Sequence, residues 1–363
     1  MRITLDATPL LGPRTGIGRY TTHLLAELPG ALARAGVVAD LRVSTWTLRG
    51  GRVPALPPGI RQVGYRVPAR ALRAAWRVAP FPPAEALVGR TDVFHGVNFV
   101  VPPAWRAAEV VTVHDLTYEE HTDTVSPADL AYRGLVRRAV GRGAHVLTPS
   151  AHVAGQVRDF YGLAESQVTA TPLGVDPGWS LASPPTERWL ADHGLTGDYV
   201  VFVGSLGPRK NLRRLVEAFG RVRSGGLTLA LAGPAGRAAD VGGGPHVVPT
   251  GWLGEGELRS LVAGARALVL PSLDEGFGLP VLEALAAGRP VLASEIPVLR
   301  EVAGTHAVFA NPLDVAALAE GLRAVLELPD DEEARAGRRA WAARFTWAST
   351  ADLTARAYRE IAR

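Results

Sequence analysis

The sequence predicts an α/β protein made of two doubly wound halves, and three observations carry that prediction. Short runs rich in Val, Leu and Ala alternate with stretches of helical length along the chain, the rhythm of parallel strands covered by helices. That rhythm stops once, in the turn-forming stretch GVDPGWSLASPPTERWLADHGLTGD over residues 174–198, and then begins again at YVVFVG. At 363 residues, 47% of them hydrophobic, the chain is long enough to fill two cores.

Each element follows from this pattern in order. The first half reads as strand RITLDA, a helix from about Gly18 to Ala35, strands LRVST, DVFHG and EVVTVHD, a helix over about 127–140, strand AHVLTPS, a helix after Ser150 and strand VTATPL. The proline-dense part from Gly50 to Pro83 breaks the rhythm and reads as a loop-rich surface segment. The second half reads as YVVFVG, a helix from Lys210, LTLALAG, HVVPTG, a helix from about Glu255, ARALVLPS, a helix from Pro280, PVLASE, HAVFA and helices from Asp314 onward. The expected domains are residues 1–176 and 199–345, with 177–198 as a linker and 346–363 as a closing helix. Two doubly wound halves put ligands at the carboxyl ends of their strands.

Composition narrows the function classes. The chain has no cysteine, which excludes disulfides and thiolate metal sites. No apolar run approaches the roughly 20 residues that cross a bilayer, and MRITLDATPL reads as a first strand, so a cytoplasmic location is expected. A net charge of +4 gives no reason to expect nucleic acid as a partner. The charge is uneven: residues 1–183 carry 19 Arg against 14 Asp plus Glu, leaving the remainder near neutral. The surplus is densest between Arg42 and Arg106, where Arg61, Arg66, Arg70, Arg73 and Arg77 accompany Tyr65 and Trp76. Such a face suits an anionic membrane surface or a phosphorylated acceptor, or is simply a solvated face.

Four motifs can carry chemistry. TGIGRY, with Gly16 and Gly18 between the first strand and first helix, lets the backbone approach a ligand and offers helix N–H groups to an anion. It lacks the third glycine of a dinucleotide fingerprint, since Thr21 stands there. VVTVHDL places His114 where a strand ends, suited to a substrate hydroxyl or to a cap. VGSLGPRKNL sets Arg209 beside Lys210, the sole lysine, at the start of a helix. Cations there oppose the helix dipole by a few tenths of a kcal/mol, roughly, unless an anion lies between them. A guanidinium fork and an ammonium suit a diphosphate. Finally, LVLPSLDEGFGLPVLE carries Glu275 in a loop and Glu283 about one turn into a helix, with seven residues between them.

With these motifs in order, the chain resembles the retaining glycosyltransferases of family 4, of the GT-B fold, over essentially its whole length, and within them the bacterial mannosyltransferase-like members. The resemblance implies that Arg209 and Lys210 hold a donor diphosphate. It implies that Glu275 contacts sugar hydroxyls beside the loop Gly276, Phe277, Gly278 and Leu279, whose backbone N–H groups assist, and that Glu283 binds ribose hydroxyls. Gly16 would face donor phosphate or acceptor, and His114 the transferred sugar. His114, Glu275, Arg209 and Lys210 form the expected catalytic set. Ser205, counted with the donor-binding residues, stands where some members carry arginine, which leaves the phosphate charge mainly to Arg209 and Lys210. The final helix would return to the first domain.

The resemblance further implies front-face displacement with retention. No Asp-x-Asp motif occurs, in keeping with transfer that needs neither metal nor cofactor. The expected donor is a nucleotide sugar, GDP-mannose foremost, and the expected acceptor a saccharide or lipid-linked saccharide in surface polysaccharide or glycolipid assembly. Peripheral contact with an anionic membrane would run through the basic first half. A sugar-nucleotide epimerase and a non-catalytic sugar-nucleotide-binding protein are the alternatives on the same scaffold.

Overall fold

The computed structural model describes residues 1–12, 16–48, 52–120, 122, 125–222, 225–234, 244 and 246–362. The chain divides into two compact units, Met1–Gly174 with Thr346–Arg363, and Val175–Phe345.

The first unit holds a seven-stranded sheet of β1 (Arg2–Asp6), β2 (Asp40–Ser44), β3 (Arg61–Gln62), β4 (Val93–Gly96), β5 (Ala108–Thr112), β6 (His145–Thr148) and β7 (Val168–Ala170). The strand order is β3-β2-β1-β4-β5-β6-β7, and every pairing is parallel. Parallel strands are covered on both faces, so they read as continuous buried runs; β4 and β6 are buried at every residue. The order reverses between β1 and β4, and the connections leaving these strands diverge there. The crossovers include α1 (Gly16–Arg34), α2 (Ala69–Val78), α3 (Ala84–Val88), α4 (Thr117–Glu120), α5 (Tyr132–Gly141) and α6 (Ala151–Tyr161). Tyr20, Leu24, Leu28, Ala31 and Leu32 line the buried stripe of α1 at helical spacing.

The segment expected to be loop-rich, 50–83, instead contains β3 and α2. Its prolines bracket the helices: Pro68 and Pro83 sit at the N-caps of α2 and α3, where a missing N–H costs nothing. Trp76 is buried and its indole N–H donates to Pro82 O at 2.9 Å, so it belongs to the core and not to a surface face. Arg42 is buried too, with a guanidinium nitrogen donating to Arg90 O at 2.7 Å.

In the second unit, α7 (Glu187–Asp192) precedes a six-stranded sheet of β8 (Tyr199–Val203), β9 (Thr228–Ala232), β10 (Val247–Gly251), β11 (Ala267–Leu270), β12 (Val291–Ser294) and β13 (Val308–Ala310). Its order is β10-β9-β8-β11-β12-β13, again all parallel, and it reverses between β8 and β11. The helices are α8 (Leu212–Val222), α9 (Glu255–Gly264), α10 (Leu279–Ala286), α11 (Pro297–Ala303), α12 (Val315–Glu327) and α13 (Glu332–Ala342). Residues 177–198, expected as a linker, are grouped with this unit and pack onto α9. Trp179 is buried, the Arg259 guanidinium lies 5.8 Å from its ring, and Trp189 Nε1 donates to Glu257 at 3.2 Å. The turn formers therefore mark a packed excursion.

The last helix, α14 (Trp347–Ile361), belongs to the first unit and packs on α1. Thr346 caps it by accepting from Ser349 N at 3.1 Å, and Thr350 Oγ1 donates to Pro172 O at 2.6 Å. A Cβ on Gly174 would lie 2.1 Å from Trp347 N, so only glycine permits this approach.

Candidate functional site

In the second unit the loops leaving β8 and β11, on either side of the strand-order reversal, are laced together. Leu273 N donates to Arg209 O at 2.9 Å, and Arg209 Nη1 donates to Asp274 O at 2.6 Å. Asn211, left-handed at φ 57°, donates from Nδ2 to Pro271 O at 3.1 Å and Pro312 O at 2.6 Å. That left-handed residue also corrects the expectation of a helix from Lys210. Arg209 and Lys210 lie on a 3-10 turn, Pro208–Lys210, and α8 begins only at Leu212. Their charges are held by an acidic partner and not by a helix terminus.

That partner is Glu275, which is buried. Its Oε1 accepts from Lys210 Nζ at 2.5 Å and from Ser272 Oγ at 2.7 Å, and Oε2 lies 3.5 Å from Arg209 Nη1. Burial opposes its ionisation, but the charges of Lys210 and Arg209 and the bonds from Lys210 and Ser272 outweigh burial and hold the carboxyl below its ordinary range. The structure thus brings three expected catalytic residues into one cluster, including a glutamate that sequence reasoning kept apart from the positive charge. Ser272 and Asn211 complete it; Ser272 was visible only as the serine three residues before Glu275.

Close backbone packing fixes the floor. Gly204 N donates to Ala232 O at 2.9 Å, and a Cβ on Gly233 would sit 1.9 Å from Gly204 O. Ser205 is exposed in the loop after β8. The loop Gly276–Leu279 leads into α10 through Gly278, whose φ is 96° and where a Cβ would come 2.4 Å from Leu299 Cδ2, so a side chain there would be strained and crowded. Phe277 is buried, edge-on to Phe345 at 6.1 Å. Helix α10 starts at Leu279, one residue before Pro280; the N–H groups of Val281 and Leu282 already donate to Gly278 O at 3.0 and 3.4 Å, so Leu279 is the first-turn residue whose N–H has no intrahelical acceptor. Glu283, the fifth helical residue, is buried in the interior of α10, past the first turn where an acid would serve the helix dipole.

His114 and Gly16 lie in the first unit. His114 follows β5, half-buried, with Nε2 donating to Val97 O at 2.8 Å, which fixes the neutral tautomer and leaves Nδ1 as the ring's acceptor. Tyr20 and Phe99 meet its ring edge-on at 5.4 and 5.5 Å. Burial lowers its pKa against the opposing effects of the Val97 carbonyl and Asp115. Asp115 itself accepts from Thr117 N at 3.1 Å, at the start of α4. Behind His114 runs a buried chain that the sequence did not signal: Tyr20 Oη to Thr112 Oγ1 at 3.2 Å, Thr112 Oγ1 to His95 Nε2 at 2.7 Å, and His95 Nδ1 to Tyr358 Oη at 2.6 Å. Gly16 opens α1, and a Cβ there would meet nothing within 4 Å, so packing within this unit does not require glycine. Among the described residues no group of three or more His, Asp and Glu side chains could hold a metal ion.

Two family models match the chain: "Glycosyltransferase Family 4" over residues 14–179 and "Glycosyl transferases group 1" over residues 197–328. The chain is 28% identical to O-antigen chain mannosyltransferase B of Escherichia coli, over 82% of this chain and 83% of that protein. It is 30% identical to the D-inositol 3-phosphate glycosyltransferase of Stackebrandtia nassauensis, over 98% and 90%. Among solved structures, Anabaena HepE in complex with UDP-glucose matches with a TM-score of 0.69 at 17% identity, over 98% of both chains.

Proposed function

The chain belongs to glycosyltransferase family 4, with two doubly wound domains of the GT-B class, and from that premise we propose a retaining, metal-independent hexosyltransferase that uses a nucleoside diphosphate sugar. The observation that supports this most strongly is the Arg209–Lys210–Glu275 cluster at the switch point of the second sheet. Glu275 holds the two cations side by side in a largely buried setting, where a diphosphate would complement their charge. Glu275, fixed by Lys210 and Ser272, still has lone pairs for a sugar hydroxyl.

In this reading Arg209 and Lys210 neutralise the diphosphate as the glycosidic C–O bond breaks. Because both are already held in place, their stabilisation of the leaving group requires little reorganisation. The leading N–H groups of the Gly276–Leu279 loop add to it, and Ser205, in the same β8 loop, joins the donor contacts. Glu275 orients the sugar, and Glu283 takes the ribose hydroxyls. His114 meets the transferred sugar through its free Nδ1, with Gly16 facing donor phosphate or acceptor. The acceptor oxygen attacks from the face the diphosphate leaves, and the departing phosphate accepts its proton.

Mannose is the favoured sugar, because the Escherichia coli relative is named as a mannosyltransferase. UDP in the HepE complex makes uracil the competing base. The acceptor is a saccharide or lipid-linked saccharide of surface polysaccharide or glycolipid assembly, with peripheral contact to an anionic membrane through the basic face of the first unit. No described helix is long and apolar enough to cross a membrane.

The test is incubation with GDP-mannose or UDP-glucose and saccharide acceptors, with the product's anomeric configuration read by NMR, in the presence and absence of chelator. A product with the donor's anomeric configuration, formed equally in chelator, is expected. Inversion, chelator sensitivity or epimerised free donor contradicts the proposal, and nucleotide binding without any turnover would leave a binding protein in its place.

A further inference from the structure

The carboxyl ends of β2 and β3 enclose a cavity of about 110 Å³ that the reaction as described does not use. Since the sheet is wholly parallel, this cavity opens at the same strand ends that carry His114. Its frame is fixed by Gln62, which donates from Nε2 to Thr45 Oγ1 at 3.1 Å and accepts from Val53 N at 2.9 Å. Gly64, at φ 99°, turns the chain out of β3 while Tyr65 N donates to Leu87 O at 3.2 Å. The turn leaves the side chains of Tyr65 and Arg66 exposed, and both line the cavity together with the exposed Arg52. No carboxylate is among the described lining residues, and neither arginine forms an ion pair with another described residue.

Size and charge together define the occupant. Whole small-molecule sites run to roughly 300–1,000 Å³, so this cavity takes one group and not a complete nucleotide sugar. Two guanidinium forks beside hydroxyl and amide donors match a phosphate, and the exposed Tyr65 ring offers an apolar face to an adjoining pyranose. We propose that this cavity is the acceptor's phosphate subsite: the acceptor carries a phosphate on or next to its sugar, bound by Arg52 and Arg66 with the sugar against Tyr65. This rests on the glycosyltransferase reading above and adds the acceptor's chemical class.

Calorimetric titration of protein presaturated with GDP tests it, because GDP occupies the second unit and reports on the donor reading separately. The probes are inorganic phosphate, mannose 6-phosphate and mannose, with sedimentation on phosphatidic acid and phosphatidylcholine vesicles as a second arm. Mannose 6-phosphate is expected to bind with an affinity that falls as salt rises, and mannose not to bind measurably. The R52Q/R66Q double variant should lose at least about tenfold in affinity for both phosphates while GDP affinity stays unchanged. Tyr65→Ala should weaken mannose 6-phosphate and leave inorganic phosphate unaffected. Arginine-dependent binding to phosphatidic acid vesicles points to a lipid-borne phosphate, and binding of the soluble sugar phosphate alone to a free one; either result supports the subsite. If GDP binds but neither phosphate source does, or the double variant binds both as well as wild type, the proposal is overturned. Absence of GDP binding would instead count against the donor reading.

Discussion

At the scale of single residues, the Lys210–Glu275 pair has two roles that one substitution cannot separate. Both side chains are nearly inaccessible, so Lys210→Ala strands a buried carboxylate, which costs about 3–5 kcal/mol when no other cation helps. Arg209 and Ser272 remain, so the lower end of that range is expected in denaturant unfolding. The K210M/E275Q pair removes both charges and should recover most of the stability while transfer stays abolished; recovered transfer would show the pair to be purely structural. His114→Ala should abolish most turnover. Since burial lowers the His114 pKa, the neutral ring is the working form, and the acid limb of kcat/KM should fall below pH 6.5 and vanish in the variant. His95 supplies a stability signature. Burial pushes its pKa down to about 3 from 6.5, so the unfolded chain binds the extra proton between those values. Stability is therefore full above about pH 6.5 and lost as pH falls towards 3, and His95→Gln should flatten that slope by up to about one proton.

At the scale of elements, Gly233→Ala is expected to destabilise by more than about 1 kcal/mol, since φ is 150° and the new Cβ would meet Gly204 O at the base of the Lys210 loop. Thermal unfolding of the variant checks this, and an unchanged midpoint would mean that the two loops can separate freely. The strands were legible in the sequence because a parallel sheet buries both faces and writes itself as unbroken apolar runs such as YVVFVG and ARALVLPS. Helix α2 was not, because arginines fill its outer face and prolines flank it, and both features also describe a loop. The turn at Asn211 was hidden for a related reason. Nothing in PRKNL announces a left-handed asparagine, whose conformation is held by carbonyls of Pro271 and Pro312 far along the chain.

At the scale of the whole molecule, both sheets reverse strand order once, and most of the expected site residues lie on segments that follow strands at or beside those reversals, with Glu283 one turn inside α10. Sequence spacing located Arg209, Lys210 and Glu275 individually, but their meeting depends on β8 and β11 lying side by side though 63 positions separate Val203 from Ala267 in sequence order by the numbering. Tyr20, Thr112, His95 and Tyr358 were illegible on the same ground: their hydrogen bonds join α1, β5, β4 and α14, and no local pattern marks them. The charge cluster in the second unit is the centre of the functional account, and nucleotide binding tests it most directly. Thermal unfolding of wild type and K210M/E275Q should be followed against GDP, UDP, dTDP and ADP, because a ligand at 100 times its Kd stabilises the native state by about 2.7 kcal/mol. GDP is expected to raise the wild-type midpoint most and to leave that of the double variant unmoved. No shift with any nucleoside diphosphate, or an equal shift in both proteins, would contradict it.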